Sequence, residues 1–142
     1  MALRFGVFED FNGATTLLLW SAGDGLTELA ALFTDLAEGR TGTTILDDLP
    51  WAEAVRGTDV RLGLASGHEG MLEVLPVAEG TEVHWHSPAM WLSAFADLVL
   101  ALDAMPRGHQ YLDVDWRQDV QVIVSKGEYP RTWPDGRAHR SQ

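Results

Sequence analysis

Apolar positions along this chain switch repeatedly between a period of two and a period near 3.6, and the switches lay out its elements. Leu3–Phe8 and Ala14–Trp20 are apolar runs rich in β-formers, and Asn12-Gly13 between them is a strong turn signal. Together they predict a β-hairpin. Leu26, Leu29, Ala30, Phe33, Leu36 and Ala37 then recur at helical spacing, with Asp24 placed to cap the start and Gly39 to close the end. Thr43–Leu49 suits either a short strand or an irregular stretch, and Pro50 suits the first position of a short helix over 50–55. Residues 59–65, 71–77 and 81–86 alternate as three strands, with turns at Ser66–Gly70 and Ala78–Gly80, which predicts an antiparallel meander.

Ser87-Pro88 then opens a second helix, with a hydroxyl cap and proline at the first helical position, and Pro106 stops it after Ala104. Its apolar residues, from Met90 and Trp91 to Val99 and Leu102, cover most of the circumference. Such a helix is expected to be buried on nearly all sides, or to meet another protein. Residues 109–116 and 120–125 form a closing hairpin around Arg117-Gln118-Asp119, with both faces partly covered. From Glu128 onward the prolines, Gly136 and the polar end predict a loosely ordered tail over 129–142, after a single domain over 1–128. No internal repeat is visible in the residues. The expected class is α+β: a two-layer sandwich with a mostly antiparallel sheet of about six to seven strands and two main helices on one face.

Charge narrows the functions open to such a domain. Between Met1 and Ala104 sixteen acidic side chains face four basic ones, and the whole chain carries a net charge of −11. A field of that sign repels nucleic acid and anionic membrane surfaces and attracts a basic protein. With no cysteine, disulfides, thiolate nucleophiles and sulfur-ligated metal sites are excluded. The first residues lack the long apolar core of a signal peptide, and the longest apolar run, Ala94–Leu102, is broken by Asp97 and too short to span a bilayer. The expectation is a cytoplasmic protein.

Candidate chemistry is sparse. Glu82, His84 and His86 alternate along one strand, so their side chains share a face. Two imidazoles at that spacing, joined by Asp113 if the closing hairpin lies alongside, form a ligand set for zinc or iron(II). On that reading the protein is a metal-dependent hydrolase or oxygenase; the plainer reading is a solvated sheet face on which these charges balance one another. Ser66 and His68 share a short turn, but no Gly-x-Ser-x-Gly elbow surrounds any serine. The carboxylate pairs, Glu9-Asp10, Asp47-Asp48 and Asp113-x-Asp115, fall at turns and strand ends, where water keeps them ordinary acids. Gly23-Asp24-Gly25 lacks the lysine and hydroxyl of a phosphate loop.

Binding is better supplied. Six tryptophans are many for 142 residues, and Trp51 and Trp133 stand in loop-like stretches. Aromatic anchors among acidic groups mark protein-binding surfaces, although loop tryptophans also tuck onto a domain's own edge. The segments His109–Asp113 and Ser125–Pro130 have the look of a family signature.

A small, acidic, cysteine-free, tryptophan-rich α+β domain without a catalytic signature resembles the immunity proteins that neutralise bacterial toxins. The resemblance rests on charge, size and layout over the whole chain. It implies a non-enzymatic inhibitor, without cofactor, that plugs the active site of a basic protein. On this reading Asp47, Asp48, Asp113 and Asp115 pair with the partner's cations while Trp51 and Trp133 anchor the contact. A homodimer that buries the second helix is a further expectation.

Overall fold

Leu3–Phe11 (β1) and Ala14–Ser21 (β2) pair as the predicted antiparallel hairpin, Arg4 opposite Trp20 and Phe8 opposite Thr16. The computed structural model describes residues 3–11, 13–22, 25–112, 119–130 and 133–134. Asn12 and the proposed cap Asp24 lie outside them; Gly13 and Gly25 both take the positive φ that glycine permits. Leu26–Ala37 (α1) buries its stripe, with Leu26, Leu29, Phe33 and Leu36 fully enclosed. Gly39 closes it as expected. The Gly39 N–H donates to the Leu36 carbonyl (3.2 Å) and the Arg40 N–H to the Asp35 carbonyl (2.8 Å), a Schellman ending.

Thr44–Ile45 (β3) leads into a 3₁₀ turn over Leu46–Asp48, and the expected helix over 50–55 is replaced by a strand, Ala52–Ala54 (β4). β4 runs parallel to β1. The Leu3 N–H donates to the Trp51 carbonyl (2.8 Å) and the Val55 N–H to the Phe5 carbonyl (2.9 Å). The free edge of β1 offers backbone partners at once, whereas a helix this short is costly to nucleate.

Thr58–Leu64 (β5), Met71–Val77 (β6) and Gly80–Ser87 (β7) are the three expected strands, but they do not form a meander. β5 lies parallel beside β7, and β6 is displaced to the outside. Burial explains the order. Val60 and Leu62 of β5 face Val83 and Trp85 of β7 in register, and all four are fully buried. β6 exposes Leu75 and Val77 and carries Pro76, whose missing N–H is tolerated at an edge.

Ala89–Asp103 (α2) begins without a side-chain cap. Ser87 belongs to β7, and its hydroxyl instead accepts the indole N–H of the fully buried Trp85 at 3.2 Å. A buried indole needs a partner more than a solvated helix end does. α2 is also buried on fewer sides than expected: Leu92, Phe95, Ala96, Val99 and Leu102 face inward, while Met90 is 80% exposed and Leu100 49%. Gly108–Leu112 (β8) and Val120–Lys126 (β9) pair antiparallel as predicted, and the rest of the expected hairpin, residues 113–118, lies outside the described residues.

The strands form two mixed sheets rather than one, in the orders β4-β1-β2-β9-β8 and β3-β5-β7-β6. The α+β class stands. One core joins the inner faces of both sheets to the two helices, including Phe5, Leu19, Phe33, Trp85, Phe95 and Val124. A second, smaller cluster covers the outer face of the five-stranded sheet: Phe8, Leu18, Trp20, Val55 and Ile123, overlaid by Phe11, Tyr129 and Trp133. Burial on both faces is why β2 shows no clean alternation from Leu17 to Trp20.

The topology is duplicated although the residues show no repeat. β1-β2-α1-β3-β5 and β6-β7-α2-β8-β9 each run hairpin, helix, two strands, with β4 added to the first half. The halves are interlocked. Each sheet takes its hairpin from one half and its last two strands from the other, so that β2 lies parallel to β9 and β7 parallel to β5.

Candidate functional site

The expected partner-binding residues fall in two places. Asp47 and Asp48 stand exposed in the 3₁₀ turn between β3 and β4. Partial burial raises the Asp47 carboxyl above its ordinary value, and the charges of Asp59 and Asp48 push it further the same way. Trp51, close behind in sequence, is half-buried against the main core and so anchors this edge of the domain. Trp133 belongs to the outer face of the five-stranded sheet. It stacks on Tyr129 (ring centroids 4.4 Å apart), meets Trp20 edge-on at 5.0 Å, and its carbonyl accepts from Arg4 Nη1 at 2.7 Å. Of the tail expected over 129–142, only Tyr129, Pro130, Trp133 and Pro134 are described, and both of these rings pack on the sheet. Asp113 and Asp115 lie outside the described residues.

The histidine strand has the expected orientation but a different set of neighbours. Asp59 and Arg61 of β5 stand in register with Glu82 and His84 of β7, so the four head groups share the outer face of the four-stranded sheet. His84 Nε2 lies 2.9 Å from Glu82 Oε1, and Arg61 Nη2 lies 3.6 Å from both Asp59 Oδ2 and Glu82 Oε2. The hydrogen bond with His84 is the main cause of the lowered Glu82 carboxyl pKa, with Arg61 adding to it against some desolvation. His86 lies over Gly63 of β5, and desolvation, then the charge of His84, lowers its pKa. β8, which leads into Asp113, pairs with β9 in the other sheet and is not a neighbour of β7. Among the described residues no group of three or more His, Asp or Glu side chains is placed to hold a metal ion.

Ser66 and His68 line an open groove with Leu64, Pro88, Met90 and Trp91, and no hydrogen bond joins the two among the described residues.

One constellation was missed by motif reasoning. His109 of β8 stands directly opposite Ser125 of β9, and Glu128 folds back from the following turn. The Ser125 hydroxyl donates to Glu128 Oε1 at 2.6 Å, and His109 Nδ1 lies 3.0 Å from Oε2. The carboxylate sits between serine and histidine, the reverse of a hydrolytic triad, where the imidazole must bridge. Phe11, Tyr111, Ile123 and Tyr129 complete a pocket around it. The available signal was the signature-like pair of segments His109–Asp113 and Ser125–Pro130, which supplies five of these residues. Compared with known proteins, the chain matches no family model, no curated protein and no solved structure.

Proposed function

We propose that this chain is a non-enzymatic cytoplasmic binding protein of the immunity-protein kind, which inhibits a basic protein partner by presenting an acidic surface. The observation that carries this reading is the state of its carboxylates. With a net charge of −11, the chain leaves Asp47 and Asp48 exposed and without an ion pair among the described residues, and partial burial, followed by the charges of Asp59 and Asp48, raises the Asp47 carboxyl. A cationic partner is attracted by the negative charge gathered at this turn, so association is favoured there. No helix among the described residues is long and apolar enough to cross a membrane.

The test is a calorimetric titration with a nona-arginine peptide at low and at physiological salt. Binding that weakens steeply with salt, and weakens again in an Asp47→Asn/Asp48→Asn double variant, is expected. Absence of binding at low salt would overturn the reading. A second reading, self-association, is favoured by the outer face of α2, where Met90 and Leu100 remain exposed.

A further inference from the structure

Where β8 edges the five-stranded sheet, Phe11, His109, Tyr111, Ile123, Glu128 and Tyr129 line an open pocket of about 220 Å³. Sites for drug-sized ligands run to roughly 300–1,000 Å³, so this one suits a single long side chain. Half of its lining is aromatic ring surface, and one carboxylate faces it beside His109. Phe11 and Tyr129 lie 6.1 Å apart and tilted, with Trp133 stacked behind Tyr129, and the half-exposed Tyr111 ring completes the aromatic wall. Ring faces attract cations, and the Glu128 carboxylate adds a full negative charge.

That carboxylate is held in place and kept ionised. Desolvation opposes the charge, but hydrogen bonds from Ser125 and His109 outweigh it and leave the pKa below its ordinary value. Ser125 is fully buried, so its hydroxyl position is fixed by packing. Oε1 lies within hydrogen-bond distance of both Ser125 and His109, whereas Oε2 meets His109 alone. A carboxylate oxygen has two acceptor sites, which leaves one on Oε2 for a ligand.

We propose that this pocket receives the guanidinium group of an arginine side chain from the basic partner, an inference that rests on the binding function proposed above. A planar guanidinium can lie against aromatic rings while donating end-on to Glu128, which a compact ammonium group does less well. Arg107 acts on Glu128 through its charge but does not line the pocket. It is a competitor for the same carboxylate, and Arg107→Ala is expected to tighten binding.

The experiment is an NMR titration with acetyl-Gly-Arg-Gly-amide and with the uncharged counterpart in which citrulline replaces arginine. The arginine peptide is expected to shift the Tyr111, Tyr129 and His109 ring signals, and citrulline to leave them in place. Tyr111→Ala and Glu128→Gln should each weaken the arginine peptide about tenfold, the worth of one cation–π or charge contact. Tyr111 is half-exposed, so its removal leaves the fold intact even if Glu128→Gln does not. Equal binding of the citrulline peptide overturns the proposal, as do shifts confined to the Asp47–Asp48 turn. The nona-arginine titration separates the two levels. Unchanged binding by Tyr111→Ala removes the pocket and keeps the acidic-surface reading, whereas no binding by the wild type removes both.

Discussion

Gly63 is where a single missing side chain organises the outer face of the four-stranded sheet. A Cβ there would lie 2.7 Å from His86 Cδ2 and 2.7 Å from Thr43 Oγ1, so the imidazole occupies the space a side chain would need. Gly63→Val must push the ring aside, at about 1–3 kcal/mol for overpacking. A shift of the urea midpoint with unchanged slope is the expected result; an unaltered midpoint would mean the ring does not rest there. The same ring sets a pH dependence. Its pKa is lowered in the folded state from the ordinary 6.5, chiefly by desolvation and then by His84. The unfolded chain therefore binds the proton first, and stability that is complete above pH 6.5 falls as the pH drops below it. His86→Gln should flatten that slope. Glu128 works the same way at lower pH, because its lowered carboxyl pKa gives stability above the ordinary 4.5 that is lost as the pH falls through the folded value. Glu128→Gln should reduce this more acidic part of the profile, to which Glu82 with its lowered carboxyl still contributes, and leave the His86 part unchanged.

Two turns meet where β4 enters β5 and β6 enters β7. The Thr81 N–H donates to the Gly57 carbonyl at 3.2 Å, and a Cβ on Gly57 would lie 2.3 Å from the backbone oxygen of Glu79. Gly57 also has a φ of 64°. Gly57→Ala combines a strained conformation with a backbone clash and should cost at least about 2 kcal/mol, read as a lowered Tm. Exposed surface on α2 gives a contrasting expectation. Met90→Glu with Leu100→Glu should leave Tm nearly unchanged, and should convert any dimer seen by analytical ultracentrifugation to monomer. What the sequence makes readable at this level is local. The β1–β2 hairpin, α1 with its Gly39 ending and the span of α2 follow from turn residues, caps and period. β4 is not legible locally because Pro50 is a good helix signal, while the edge of β1 that captures residues 52–54 lies some 50 positions earlier in the chain. Strand partners were unreadable for the same reason: Thr15 pairs with Val120, and no neighbouring residue announces it. The candidate pocket shares that origin. Glu82 and His84 share a face by simple alternation, but His109 meets Ser125 and Glu128 only through the β8–β9 register.

Interlocking of the two halves governs how the whole molecule holds together. Half one contributes β3 and β5 to a sheet whose hairpin belongs to half two, and half two returns β8 and β9 to the hairpin of half one. Neither half can complete a sheet from its own strands in the observed pairing. A chain cut in the exposed Ser66–Glu69 turn, giving fragments 1–67 and 68–142, leaves β2 without β9 and β7 without β5, with α1 and α2 each lacking the other's apolar face. Each fragment alone then exposes core residues such as Phe33 or Trp85, and is expected to show little near-ultraviolet circular dichroism. Mixed in equal amounts they should recover the native spectrum, because every long-range pairing is restored between chains and only one turn is lost. The cost of bringing two chains together makes the recovery concentration-dependent. The informative exception is fragment 1–67 folding by itself. β5 would then have taken the place of β9 beside β2, closing the first half as a self-sufficient unit. That outcome would show that the crossing of strands between halves is a choice of partner rather than a requirement of either half.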